Sequence, residues 1–456
     1  MNSPNDNRPY WNMEIESKLN TPEMKEIQFH KLKNRIKVLR ERAPYYMKLF
    51  GACGVHEEKI ASFEEFRRAV PLFTKQDWRD AVQEHEGDLL ETINEFIPVD
   101  AYKDLYLMAT TTGTTGEPQP YPMTQRDAWD VFGEVQARYN WRCGVRAADR
   151  VLVAYGLSMN IAGVPTLMGH WKVGALTLPV GAEAGSERIL RNAKYFRPTV
   201  FTGTPSLATY LMEKAPDAIG MTVGELGIRI LQCGGEPGAG IPEVRKKIES
   251  AYGAKLFDVG GALGVSCGHE EYQGLHQIGE DFMIVELVDP DTKAPLPFED
   301  GQKGEALFTM IDGDAWLGVR ISPGDIMQIF TAPCPCGASG FRYKIVGRTD
   351  DMLKVKGVMV YPGMIKGVIE SFAPRVTGQF RIVLDEPPPR VTPPLKLRVE
   401  RGEGCLPEQQ EELAAEIGEA MSKKIKIRPQ IIWADSGELE RSTYKGKTFE
   451  KTYEKK

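Results

Sequence analysis

Cysteine is scarce in this chain: seven residues in 456, an odd number thinly spread. That excludes a disulfide scaffold and makes a reducing, cytoplasmic setting the expectation. Basic charge is not in surplus either. Lys plus Arg is 57 against 63 Asp plus Glu, a net of −6, whereas affinity for a polyanion comes mainly from Lys and Arg neutralising phosphates. No nucleic-acid partner is expected. Long apolar runs are missing, since none approaches the roughly 18–20 residues that cross a bilayer, so no membrane partner is expected. The opening Met1-Asn2-Ser3-Pro4-Asn5-Asp6 lacks the cationic flank and apolar stretch of a secretory leader. No repeat period emerges. What is present, 42% hydrophobic and 26% charged residues, is ordinary globular composition, and the length allows one large body with a smaller partner.

Thr21-Pro22-Glu23 predicts a helix start, a hydroxyl cap followed by proline where its missing N–H does no harm. Leu32, Ile36 and Leu39 continue it at helical spacing up to Pro44. From about residue 101, short apolar runs recur: Val151 to Tyr155, Ala175 to Leu178, Thr199 to Phe201, Ile228 to Leu231 and Lys255 to Val259. Helix-like stretches such as Pro242 to Tyr252 lie between several of them. This alternation predicts an α/β body with a mostly parallel sheet. After about residue 280, Met283 to Val288 and Glu305 to Met310 predict an antiparallel portion. Beyond Gly347-Arg348-Thr349-Asp350-Asp351 the chain is long enough for a small α+β domain. The expected division is 1–349 and 350–456.

Between these elements, Thr110-Thr111-Thr112-Gly113-Thr114-Thr115-Gly116-Glu117-Pro118 stands out. Glycines let backbone N–H groups converge on an anion, and hydroxyls add donors without bulk. The loop suits a triphosphate, although the Gly-Lys-Ser/Thr ending of a P-loop is missing. The plain alternative is a flexible surface loop.

This loop resembles the phosphate loop of the adenylate-forming superfamily, and the surrounding order is most similar to the phenylacetate–CoA ligase family. Gly234-Gly235-Glu236-Pro237 resembles that family's adenine-contacting Gly-x-Glu-Pro, and Asp325 falls where its ribose-binding aspartate follows an arginine segment. Gly347-Arg348-Thr349-Asp350-Asp351-Met352 is similar to the hinge motif, with Asp350 as the hinge. The resemblance implies ATP-dependent formation of an acyl-adenylate, then displacement of AMP by coenzyme A, with Mg²⁺ assisting. It implies a large N-terminal domain binding nucleotide and carboxylate, a mobile C-terminal domain, aryl or arylacetic acid substrates and a homodimer. Thr111, Thr112, Gly113, Thr114, Thr115 and Gly116 are then phosphate-binding, and Arg348 belongs to the nucleotide site. The segment Gly437 to Lys447 resembles the family's Pro-Arg-Thr…Gly-Lys element, with Lys447 in the catalytic place and Lys445 as the alternative. Tyr139, Trp141, Tyr155 and Gly156 are conceivable lining of the acid pocket.

One stretch departs from the family. Its Tyr-Gly-x-Ser/Thr-Glu element supplies an aromatic ring beside the nucleotide and a glutamate for Mg²⁺, but here Phe257-Asp258-Val259-Gly260-Gly261-Ala262-Leu263-Gly264 has neither. Asp258 or Glu270 are the substitutes for the metal, or the site is weakened. Two other functions stay open on that account: a nucleotide-binding scaffold without turnover, and an adenylating enzyme that passes its acyl group to an amine or a carrier protein.

Cys334-Pro335-Cys336-Gly337 places two thiols on one turn, with His269 and His276 upstream. Two thiolates and two imidazoles complete a closed tetrahedral zinc site of the structural kind. Some relatives in the resembled family carry zinc in this region. His269 stands where that family has cysteine, and Cys267 is the rival ligand. Finally, Gly264-Val265-Ser266-Cys267-Gly268 matches a hydrolase nucleophile elbow. That fold needs a histidine well after the serine, and the last histidine, His276, comes only ten residues on.

Overall fold

In the computed structural model, residues 7–111, 119–261, 263–441 and 448–455 are described. Near the start, Pro22–Arg42 is a helix whose Thr21 hydroxyl accepts from the Met24 N–H, and Leu32, Ile36 and Leu39 on its inner face are fully buried. The chain then forms a two-stranded ribbon, β1 (Leu105–Thr110) and β2 (Pro120–Thr124). Next come the parallel strands β3 (Arg150–Val153), β4 (Leu176–Pro179), β5 (Val200–Gly203), β6 (Ile230–Gly234) and β7 (Lys255–Gly260). Both faces of β3, β5 and β6 are covered, as the near-continuous apolar runs require, whereas β4 is the edge strand and is partly exposed. Leu152, Phe201, Leu231 and Leu256 pack toward the helices Gly185–Phe196, Pro205–Ile219 and Pro242–Tyr252. Val151, Val153, Val200 and Phe257 belong to the core on the opposite face, with Val135 and Tyr139 of the Gly133–Arg142 helix and Leu167 of the Val164–Lys172 helix. The alternation is the two-residue period of a strand read from both sides.

The same sheet continues in antiparallel fashion through β8 (Gly264–Ser266), β9 (Leu275–Gln277), β10 (Met283–Val288), β11 (Lys303–Met310), β12 (Asp325–Phe330) and β13 (Arg342–Arg348). The result is one eleven-stranded sheet in the order β10-β11-β12-β13-β9-β8-β7-β6-β5-β3-β4. The expected switch from parallel to antiparallel material is therefore present within a single sheet.

Past the turn at Thr349–Asp351 lies a smaller lobe. It holds a three-stranded sheet of β14 (Leu353–Val355), β15 (Val358–Val360) and β17 (Arg390–Val391), and a four-stranded sheet of β16 (Val376–Leu384), β18 (Lys396–Arg401), β19 (Gln430–Ala434) and β20 (Phe449–Lys451). The helices Pro362–Glu370 and Gln410–Ile425 close its own core, centred on Ile365, Ile382, Leu397 and Ile417. The lobe rests on the larger body through polar contacts: Lys366 Nζ donates to the Pro237 carbonyl (3.1 Å), Lys247 Nζ to the Thr377 carbonyl (3.2 Å), and Arg441 pairs with Glu213 (3.4 Å). No described helix is long and apolar enough to cross a membrane.

Candidate active site

A cavity of about 1690 Å³ lies at the C-terminal ends of β5, β6 and β7, walled on one side by the smaller lobe. Open parallel sheets place their ligands at this end. Gly234 ends β6 so close to β7 that a Cβ there would sit 1.9 Å from the Val259 carbonyl oxygen, and Gly235 turns the chain at φ +85. Glu236 then reaches across, its Oε1 accepting from the Ser206 N–H (2.7 Å) at the start of the Pro205–Ile219 helix, where an anion is favoured.

On the far wall, Asp325 and Arg348 face each other as cross-strand partners of β12 and β13. Arg348 donates through Nη1 to Asp325 Oδ1 (2.7 Å) and through Nη2 to the Pro323 carbonyl (2.8 Å). Asp350, just beyond, receives Lys75 Nζ at 2.5 Å and lies 3.4 Å from Arg348 Nη2. Thr111 closes the base of the Thr/Gly loop by donating its N–H to the Gln119 carbonyl (3.1 Å), and both residues line the cavity. Thr112, Gly113, Thr114, Thr115, Gly116, Lys445 and Lys447 lie outside the described residues.

Asp258 projects into the same cavity, and the Tyr272 hydroxyl donates to its Oδ2 (2.7 Å). Burial pushes the Asp258 carboxyl up to about 6, and the Tyr272 bond offsets part of the shift. Glu270, the other expected substitute, is exposed. Tyr139 and Tyr155 line the cavity as anticipated. Trp141 does not: its Nε1 donates to the Arg8 carbonyl (2.9 Å), with the guanidinium groups of Arg8 and Arg146 over its ring at 4.6 and 3.6 Å. The Gly156 carbonyl meets the backbone at Gly163 instead. Tyr121, Phe132, Gln136, His170 and Trp316, which no motif marked, also line the cavity.

Comparison with known proteins fits this geometry. Residues 52–310 match the AMP-binding enzyme family, and residues 357–451 match the AMP-binding enzyme C-terminal domain. The chain belongs to the AMP-binding enzyme family. Among curated relatives, a phenylacetate-coenzyme A ligase of Thermus thermophilus is 31% identical across 90% of this chain and 88% of its own length. A phenylacetate-coenzyme A ligase of Aromatoleum evansii is 26% identical across 93% of both chains. Among solved structures, a 2-hydroxyisobutyryl-CoA ligase in the postadenylation state with 2-HIB-AMP is 25% identical, with a TM-score of 0.87 over 99% of this chain and 94% of that one. This member of the AMP-binding family is an adenylate-forming, phenylacetate–CoA ligase-like acid–thiol ligase.

A second cluster in this AMP-binding enzyme lies apart from the cavity wall. Cys267, His276, Cys334 and Cys336 bring one ligand atom each to within 4.8 Å of one another. Cys267 follows β8, His276 is on β9, and the two remaining cysteines occupy the turn between β12 and β13. The turn is shaped by the Gly337 N–H donating to the Cys334 carbonyl (3.0 Å), and the Ala338 N–H points at Cys336 Sγ (3.3 Å). His276 Nδ1 lies 3.0 Å from the Ser339 carbonyl, so a proton on that nitrogen leaves Nε2, 3.4 Å from Cys336 Sγ, as the ligand atom. The expected quartet needs one correction: His269 is not a member. Its Nδ1 accepts from the Glu271 N–H (3.2 Å) within its own loop, and Cys267 holds the fourth place. Hydrogen bonding with Cys336, and secondarily with His276, holds the Cys267 thiol well below its ordinary value. Ser266 in turn is no elbow nucleophile: it is buried in β8, its Oγ accepting from the Asp258 N–H (2.9 Å).

Proposed function

We propose that the cavity condenses an aryl or arylacetic acid with ATP, releasing pyrophosphate, and then passes the acyl group from AMP to the thiol of coenzyme A. The observation that carries this is the convergence of Glu236, Asp325 and Arg348 around one cavity at the strand ends, between the two lobes. Thr111 and residues 112–116 are assigned to the phosphates, and Gly234, Gly235, Glu236 and Pro237 to the adenine edge. Asp325, oriented by Arg348 (2.7 Å), is assigned to the ribose hydroxyls. Lys447 is assigned to the charge that develops between the carboxylate and the α-phosphate, where a fixed cation acts mainly by electrostatics. Its neighbour Thr448 lines the cavity, which supports that assignment over Lys445.

Carboxylate oxygens suit Mg²⁺, and Asp258 on the cavity wall is the group we assign to hold it; when bound, the ion neutralises phosphate charge. The lobe beyond residue 349 is proposed to swing about Asp350, so that one carbonyl carbon meets two chemical surroundings in turn. The donor set of Cys267, His276, Cys334 and Cys336 suits zinc in a closed, structural role, pinning β8–β9 to the β12–β13 turn. Thiolate ligands favour the reducing cytoplasm. A homodimer belongs to the same proposal and is tested by sedimentation.

A panel of carboxylic acids with ATP and CoA, assayed for AMP and thioester, tests the whole scheme. Acid-dependent return of labelled pyrophosphate into ATP without thioester would redirect the acyl group to an amine or carrier protein. No exchange with any acid would leave a scaffold.

A further inference from the structure

Beyond the nucleotide end, the antiparallel portion of the sheet presents a second polar surface to the cavity. Lys303 of β11 is the cross-strand partner of Gln328 on β12, and Gln328 is in turn the partner of Lys344 on β13. Residues directly opposite one another share a face, with Cβ atoms about 5 Å apart, so the three form one row across three strands. All three line the cavity. The row lies about 10 Å along β12 past Asp325, at about 3.3 Å per residue.

Lys303 is exposed and Lys344 half-buried, and neither ammonium has an ion-pair or hydrogen-bond partner among the described residues. The Lys344 Nζ stands 5.4 Å from the ring centres of both Tyr272 and Phe330, which hold the ammonium without neutralising it. It is not among the buried unpaired atoms, so it stays open to a ligand. Partial burial, then the Arg342 guanidinium, lower the Lys344 ammonium from its ordinary value, and no carboxylate offsets them. Arg342, two residues back on the same face, donates to neutral oxygens: the carbonyls of Ala332 (2.8 Å) and Gln273 (3.2 Å) and the Gln273 amide (3.3 Å). Gln328, between the lysines, donates to the Gly301 carbonyl (3.2 Å) and brings no charge. The row is an uncompensated cationic edge on a cleft, which suits an anion taken from solution.

We propose that Lys303 and Lys344 bind phosphate groups of coenzyme A, at the end of that molecule remote from its thiol. Lysine serves phosphate as a point charge. Two phosphate-bearing reactants enter the proposed reaction. The phosphates of ATP are assigned to Thr111 and residues 112–116, whereas the diphosphate and 3′-phosphate of coenzyme A have no partner assigned. The row belongs to the larger body, so it stays in place when the smaller lobe turns. This inference rests on the function proposed above, in which coenzyme A is the acyl acceptor.

The test compares CoA with pantetheine, which carries the same thiol and no phosphate, in thioester formation. The wild-type protein is expected to favour CoA by at least about 50-fold in kcat/KM. Lys344→Gln is expected to raise the KM for CoA about 10-fold and the more exposed Lys303→Gln about 2–5-fold, since contacts to a charged group weaken with exposure. The double variant is then expected to shrink the CoA-to-pantetheine preference by about 20–50-fold. Lys344→Arg, which keeps the charge, is expected to stay within about 3-fold of wild type. Calorimetric binding of CoA is expected to weaken in the double variant by the same factor, and it needs no turnover. The KM for ATP in pyrophosphate exchange is expected to rise at least about 5-fold less than that for CoA. Equal use of CoA and pantetheine by the wild type overturns the inference even if a variant does not fold. So does a preference that survives in the double variant, or a larger rise in the KM for ATP, which gives the row to the ATP phosphates. Absence of pyrophosphate exchange with every acid overturns the functional proposal, and CoA calorimetry then decides this inference by itself.

Discussion

Lys75 opens the Lys75–Glu84 helix of the larger body, and its Nζ reaches Asp350 Oδ2 at 2.5 Å. Asp350 belongs to the junction about which the smaller lobe is proposed to turn, so this ion pair is expected to favour the arrangement described here, which we assign to the first half-reaction. Its side chains are 43% and 29% exposed. An exposed pair of this kind contributes about 0.2–1 kcal/mol, which is about a 1.4- to 5-fold change in the population of the arrangement it holds. Lys75→Ala is therefore expected to weaken the first half-reaction by that factor and leave the second unchanged or faster. Acid-dependent pyrophosphate exchange reads the first, and thioester formation from added acyl-adenylate reads the second. Because exposed pairs are screened, raising salt is expected to lower exchange in the wild type toward the variant and to affect the variant little. Lys75→Arg is expected to behave as wild type. An equal fall in both half-reactions would refute the hinge assignment. A loss of exchange far beyond about 5-fold would mean that Lys75, which also lines the cavity, touches substrate directly.

Other perturbations probe the remaining assignments. Burial pushes the Glu280 carboxyl up to about 7 despite the attraction of Lys25. Because the folded value lies above the unfolded one, near 4.5, its contribution is full below pH 4.5 and lost as pH rises through 7. Glu280→Gln is expected to gain up to about 3 kcal/mol over wild type at pH 8 and little at pH 4, checked by denaturant titration at both pH values. Cys267→Ser is expected to abolish a bound zinc measured by elemental analysis, while His269→Ala retains it. Gly234→Ala forces β6 and β7 apart at the cavity edge, since its Cβ would meet the Val259 oxygen at 1.9 Å. It is expected to cost about 1–3 kcal/mol in stability and to raise the KM for ATP, measured by thermal melting and initial rates.

The architecture was largely legible because apolar periodicity reports burial directly. The runs at 151, 176, 200, 230 and 255 are strands, those at 151, 200 and 230 buried on both faces, and Thr21 caps the helix it was expected to cap. Trp141 was within reach of the same logic. Two residues from Tyr139 on a helix, it turns about 200° away and faces Arg8 and Arg146 rather than the cavity. The Cys/His cluster was less legible, because Cys267 and His269 differ by two positions in one loop. The register of β8 against β9 decides between them. Val265 pairs with His276 and Ser266 with Leu275, so the residue just after Ser266 stays beside the imidazole, while residue 269 has already left the sheet. Tyr272 and His170 carry no motif at all, and only the folded chain brings them to the cavity.

The segment that departs from its family shows how the loss of its aromatic and acidic residues is accommodated. Gly261 and Gly264 leave space that Tyr343 of β13 fills: a Cβ at Gly264 would lie 2.1 Å from the Tyr343 hydroxyl, and one at Gly261 would lie 3.3 Å from it. That hydroxyl donates to the Gly260 carbonyl (3.1 Å), fixing the β7–β8 turn from β13, which lies beyond β9 in the sheet. Tyr272 meanwhile holds Asp258 from the loop between β8 and β9. Ring and carboxylate are thus both present at this end of the sheet, but they come from separate segments joined by hydrogen bonds rather than from one contiguous motif. A short motif cannot reveal such an arrangement, and restoring bulk at Gly264 would displace Tyr343 before it reached the cavity.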